Sequence, residues 1–187
     1  MDLRLLVATE RPISDSKHIL LNGKYWQLLM NVPIENLAAI PPFICISYVW
    51  GGGREENPFY QDKEMSDRTL PALEAAMRVS DASAYWIDAF CIPPEYPQKR
   101  IVLESMGFIY SLATEVIVSL GSSNGTVLTR MIHSEELGED ALDTLESDKW
   151  IESVWTYQEV VNSKAFRFVA QELPGESILG LRFLNYI

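Results

Sequence analysis

The pair of residues best spaced for chemistry is Trp155 and Glu159. Their apolar neighbours recur at helical intervals over residues 150–162, and positions four apart on a helix share a face, so the indole stands one turn before the carboxylate. An aromatic ring there can stack on a planar group and exclude water, while a carboxylate can stabilise positive charge. A plainer reading stands beside this one: Trp155 as core and Glu159 as a solvated acid, since glutamate is mostly exposed.

Asp88 lies within the apolar run Trp86-Ile87-Asp88-Ala89-Phe90. A buried acid is costly unless paired or hydrogen-bonded. At the carboxyl end of a strand it would face the crevice where open α/β sheets bind ligands. It could equally accept backbone N–H bonds and fix the Pro-rich loop that follows. Ser47, Tyr48 and Trp50 precede the triple glycine Gly51-Gly52-Gly53. Glycines permit close backbone approach to a phosphate, but neither GxGxxG nor GK[ST] is present. Strand alternation sends Ser47 and Val49 to the opposite face from Tyr48 and Trp50, so these side chains cannot all line one pocket.

The elements that must carry these residues follow from periodicity. Residues 1–14 begin with a first strand, and the apolar runs around Asn22-Gly23 predict a β-hairpin over 18–27, because that dipeptide supplies the positive φ angles of a type I′ turn. Residues 43–50, 85–92, 115–121 and 165–170 read as short buried strands. Residues 54–66 read as a surface loop. Residues 69–80, 98–113 and 150–162 carry helical spacing, the last with Asp148 as N-cap, and one or two short helices fit 125–146. Strands alternating with helices predict an α/β fold with a mostly parallel sheet. One domain is expected over 1–187: an N-terminal hairpin extension at 1–42, an α/β core at 43–170, and a segment at 171–187 whose apolar ending predicts continuation into a longer protein.

Composition narrows the function. A net charge of −11 over 187 residues argues against nucleic acid, whose phosphates demand clustered Lys and Arg, and against an anionic membrane surface. No apolar run reaches the roughly 20 residues of a membrane-spanning helix. Cys45 and Cys91 both sit in apolar runs, which predicts buried reduced thiols and a cytoplasmic location. With His18 and His133 in unrelated segments, no metal site is expected. Neither histidine has a Ser or Cys partner in its own motif, so a nucleophilic triad has no support.

Three segments in order resemble the blocks of the heterokaryon-incompatibility (HET) domain: ISYVWGG at 46–52, YWIDAFCI at 85–92 with MGFIYSLATEVIVSLG at 106–121, and VWTYQEVV at 154–161. The chain differs from the family pattern in having Pro93-Pro94 where Asn-Gln is usual. It also has Ile151-Glu152-Ser153 in place of an Arg and an aromatic. HET domains are in turn similar to TIR domains, which implies a flavodoxin-like sheet. Several TIR domains cleave NAD at the nicotinamide–ribose bond, using a Glu four residues after a Trp.

The resemblance therefore implies a cell-death or immunity signalling domain that hydrolyses NAD when self-assembled. Glu159 would be the catalytic carboxylate, and Trp155, Asp88, Ser47, Tyr48, Trp50 and Gly51 would contact substrate. NAD would be a substrate and not a cofactor. Expected partners are the nucleotide, further copies of the chain, and an effector or sensor domain of a longer parent protein. The alternative is a non-enzymatic module that triggers incompatibility or cell death by homotypic association.

Overall fold

A computed structural model describes residues 1–11, 16–173 and 175–186, apart from the side chains of Val154, Trp155 and Tyr157. The strands are β1 (Asp2–Thr9), β2 (His18–Leu21), β3 (Lys24–Pro33), β4 (Ile44–Tyr48), β5 (Arg54–Glu56), β6 (Glu64–Ser66), β7 (Ala84–Trp86), β8 (Glu115–Leu120), β9 (Phe166–Ala170) and β10 (Ile178–Leu179). The helices are α1 (Thr69–Val79), α2 (Asp88–Cys91), α3 (Gln98–Glu104), α4 (Met106–Leu112), α5 (Gly125–Ile132), α6 (Glu139–Glu146), α7 (Lys149–Glu152), α8 (Val154–Val161) and α9 (Gly180–Phe183).

Among the described residues, eight strands form one sheet in the order β10-β9-β8-β4-β7-β1-β3-β2. β4 runs parallel to both β7 and β8, and β8 parallel to β9. β1, β2, β3 and β10 join antiparallel. The expected parallel core is present, and the whole sheet is mixed. The hairpin at Asn22-Gly23 forms as expected, with φ of 49° and 72°, and β1 pairs directly with β7, so the N-terminal strands continue the core sheet.

Every residue of β4 is buried, as is all of β8 after Glu115. That is why these segments read as nearly continuous apolar runs, interrupted by Ser47 and Ser119: a parallel strand covered on both faces has no solvent side. α1 packs on β4, β8 and β9, while α4 packs on α8 and α8 on β4. Gly107 of α4 lies close to the end of α8, where a Cβ would stand 3.2 Å from the Asn162 side-chain nitrogen. Cys45 and Cys91 are both buried and free.

Four expected boundaries are corrected. The run at 85–92 is not one strand: β7 ends at Trp86, and Asp88 opens the helical turn α2. The 98–113 helix is interrupted at Ser105, where Ser and Gly107 weaken helical preference. The 150–162 helix is split at Ser153, which adopts an extended ψ of 125°. There the Thr156 hydroxyl donates to the carbonyls of Trp150 and Ser153 at 2.7 and 2.6 Å. The 54–66 loop contains the β5–β6 hairpin.

Candidate functional site

Consecutive residues at the end of β4 point to opposite faces, and each meets a carboxylate. The Ser47 hydroxyl, 1% exposed, faces α8 and donates to Glu159 Oε2. It accepts in turn from Trp150 Nε1 at 2.7 Å. Tyr48 faces α1, where its hydroxyl lies 2.8 Å from Thr69 Oγ1, and it also donates to Asp88 Oδ1 at 2.9 Å. Trp50 Nε1 donates to Asp88 Oδ2 at 2.7 Å, and the Ala89 amide to Oδ1 at 2.6 Å.

These groups bound an open cleft of about 690 Å³ beyond the carboxyl ends of β4 and β7. Tyr48, Trp50, Asp88 and Glu159 line it, with Leu103 and Met106 supplying an apolar wall. The volume falls within the range of small-molecule sites. Burial pushes the Glu159 carboxyl up to about 7, an effect reinforced by the negative charge of Asp88 and opposed by hydrogen bonds from Ser47 and Tyr110. Burial also raises Asp88, against the lowering influence of Tyr48, Trp50 and the Ala89 amide. Two neighbouring acids shifted out of their ordinary range in one cleft are a physical mark of a functional site.

Strand alternation is borne out by Ser47 and Tyr48: Tyr48 lines the cleft, whereas Ser47 is not on its wall and acts through Glu159. Alternation does not carry past Tyr48, where β4 ends, and Val49 lines the cleft together with Trp50. Gly51 is not on the cleft wall: its amide donates to Ser66 Oγ at 2.8 Å. A Cβ at Gly51 or Gly53 would run into the Asp67 carboxylate, the end of an exposed side chain that would have to move. Arg54 ties the loop down by donating to the carbonyls of Gly51 and Gly53 at 2.7 and 2.8 Å, and its guanidinium lies 5.6 Å from the Trp50 ring centroid. The Trp155 side chain, expected to share a face with Glu159, lies outside the described residues.

Sequence reading missed three participants. Tyr110, on the buried side of α4, hydrogen-bonds Glu159; the available signal was a tyrosine on an apolar helix face, whose hydroxyl must find a partner. Thr69 supports Tyr48, and Trp150 supports Ser47. Trp150 is held by Asp148, which accepts from the Trp150 amide at 2.8 Å as expected of an N-cap, and also from the Gly121 amide at 3.0 Å and Asn124 Nδ2 at 2.5 Å.

Among the described residues, no helix is long and apolar enough to cross a membrane. No curated protein and no solved structure matches the chain. The family model described as heterokaryon incompatibility protein (HET) matches residues 43–159, which span the parallel strands β4, β7 and β8 together with Asp88 and Glu159 of the cleft. The chain belongs to the heterokaryon-incompatibility (HET) family.

Proposed function

We propose that this domain is a cell-death signalling enzyme that hydrolyses NAD to nicotinamide and ADP-ribose or a cyclic product. The observation that carries the reading is Glu159, a half-buried carboxylate shifted to about 7 and held by Ser47 beside Asp88 in one cleft. The parallel strands lie in space as second, first, third and fourth in chain order, the order of flavodoxin-like sheets. That order supports a TIR-like fold, and ligands bind such sheets beyond the strand carboxyl ends.

In the hydrolysis, the C1′–N bond breaks and its electron pair leaves with neutral nicotinamide, so the ribose passes through an oxocarbenium-like state. The ionised Glu159 stabilises that positive charge electrostatically. Water then adds to C1′ and releases a proton. Asp88 accepts from ribose hydroxyls, and Trp50 covers one side of the cleft.

A second reading is supported by exposed apolar side chains on the helices around the cleft. Ile101, Leu103, Phe108 and Val161 are each 44–58% exposed on α3, α4 and α8. Such a surface suits self-association, either to complete the enzyme site or to signal without chemistry.

Nicotinamide release from NAD by concentrated protein tests the enzyme reading, with Glu159→Ala beside wild type and circular dichroism on both. Release by the wild type alone is the expected result. Equal release by both moves the chemistry away from Glu159, and silence from both folded proteins favours the interaction module.

A further inference from the structure

Among the described residues, the main cleft is lined by three carboxylates, Asp88, Glu104 and Glu159, and by no cation. Such a wall repels a phosphate. A second compartment of about 390 Å³ adjoins it, sharing Trp50, Asp88, Ile92 and Leu103. Here the wall changes character, because Lys63 and Lys99 enter it from separate elements.

The positions of both lysines are set by the backbone. Lys63 ends the β5–β6 turn, where its carbonyl accepts from the Asn57 amide at 2.8 Å. Asn57 is itself buried and pins that hairpin to α2 by donating from Nδ2 to the Ala89 carbonyl at 2.8 Å. Lys99 lies in the first turn of α3, its amide bonded to the Glu95 carbonyl at 2.8 Å. Neither ammonium takes part in an ion pair among the described residues. Glu64 and Asp88 stand on the same wall, so the two lysines offset the two carboxylates there, whereas the main cleft has no cation to offset its three. Of the two carboxylates nearest in sequence to Lys99, Glu95 pairs with Arg4 at 3.8 Å and Glu104 is bonded to Arg100 at 2.6 Å.

Resting on the nucleotide reading of the cleft, we propose that the Lys63 and Lys99 compartment is a phosphate subsite, taking the phosphate or pyrophosphate of a nucleotide whose ribose lies against Asp88 and Glu159. The shared wall of Trp50, Asp88, Ile92 and Leu103 is then where sugar gives way to phosphate. The arrangement separates tasks by charge: carboxylates face the carbon that becomes cationic, and ammonium groups face the anionic part of the same molecule.

Calorimetric binding of ADP-ribose to the full chain tests this, because that ligand carries the pyrophosphate but no bond to nicotinamide. Lys63→Gln/Lys99→Gln is compared with wild type and with Lys24→Gln/Lys164→Gln, which removes the same charge far from the cleft. The expected result is binding weakened roughly tenfold or more by the first double variant and unchanged by the control. Wild-type binding should also fall as salt rises, and the first double variant should lose most of that dependence. Equal binding by both double variants, or no binding by the folded wild type at millimolar ADP-ribose, overturns the subsite. Wild-type binding of ADP-ribose that depends on the two lysines, without nicotinamide release from NAD, would leave the subsite standing while the hydrolase reading fails.

Discussion

Ser47 and Glu159, 112 positions apart, are joined by a hydrogen bond from the serine hydroxyl to the glutamate carboxylate. The next residue, Tyr48, performs the corresponding service for Asp88. Two successive positions of β4 thus hold Asp88 and Glu159, one through each face of the sheet. The carboxylates come from distant segments, so their spacing depends on the packing of α8 and on where β7 ends.

Removing the Ser47 hydroxyl should move Glu159 upward. The Ser47 bond favours the ionised form, so Ser47→Ala is expected to raise the Glu159 midpoint above about 7, by about one pH unit or more. Carbon-detected NMR titration of the carboxyl groups reads this directly. Ser47→Thr, which keeps the hydroxyl, should restore the wild-type midpoint. An unchanged midpoint in Ser47→Ala would show that the hydroxyl does not govern the carboxylate.

Stability should fall as pH rises through the window set by Glu159. Folded, this carboxyl keeps its proton to about 7, whereas its ordinary value is 4.5. Between those values the unfolded chain binds fewer protons, so the free energy of unfolding declines with pH. Glu159→Gln removes that decline. Its stability relative to wild type should therefore increase from pH 4.5 to pH 8, by on the order of 3 kcal/mol. Urea unfolding of both proteins at several pH values measures the difference, and a difference independent of pH contradicts a raised Glu159.

The parallel strands were legible because burial on both faces leaves a nearly continuous apolar run, and the hairpin because Asn22-Gly23 admits few other conformations. The strand–helix boundary at Asp88 was not. Residues 87–92 are as apolar as the strand before them, and only the tertiary setting turns Asp88 back so that its carboxylate meets Trp50 and the Ala89 amide. The break at Ser153 was hidden for a related reason: Thr156 satisfies the carbonyls of Trp150 and Ser153 with its side chain, which periodicity does not register. Trp50, Asp88 and Glu159 could be singled out by residue type. Their shared support by Tyr110, Thr69 and Trp150 arises only when distant segments pack.

Asp148 should be among the most sensitive positions outside the cleft. Its buried carboxylate accepts from Trp150, Gly121 and Asn124, linking α7 to the end of β8. Asp148→Ala leaves three donors unsatisfied in a buried setting and is expected to destabilise the fold by about 3 kcal/mol. Chemical denaturation checks this. A loss below about 0.5 kcal/mol, the range of ordinary surface changes, would mean that the cluster contributes little.

Trp50 offers a way to perturb Asp88 at low structural cost, because its ring is 42% exposed while its indole N–H donates to Asp88 at 2.7 Å. That bond lowers the Asp88 midpoint against the upward push of burial. Trp50→Phe keeps an aromatic surface and deletes the donor, so the Asp88 midpoint should rise while thermal stability changes little. Should Asp88 hold ribose hydroxyls as a carboxylate, ADP-ribose affinity in Trp50→Phe should weaken at acidic pH and recover as pH increases. Calorimetry across that range, with carboxyl NMR on the free protein, links the two observations. A raised midpoint without any pH dependence of affinity would leave Asp88 with the structural role alone: receiving the Ala89 amide and fixing the turn after β7.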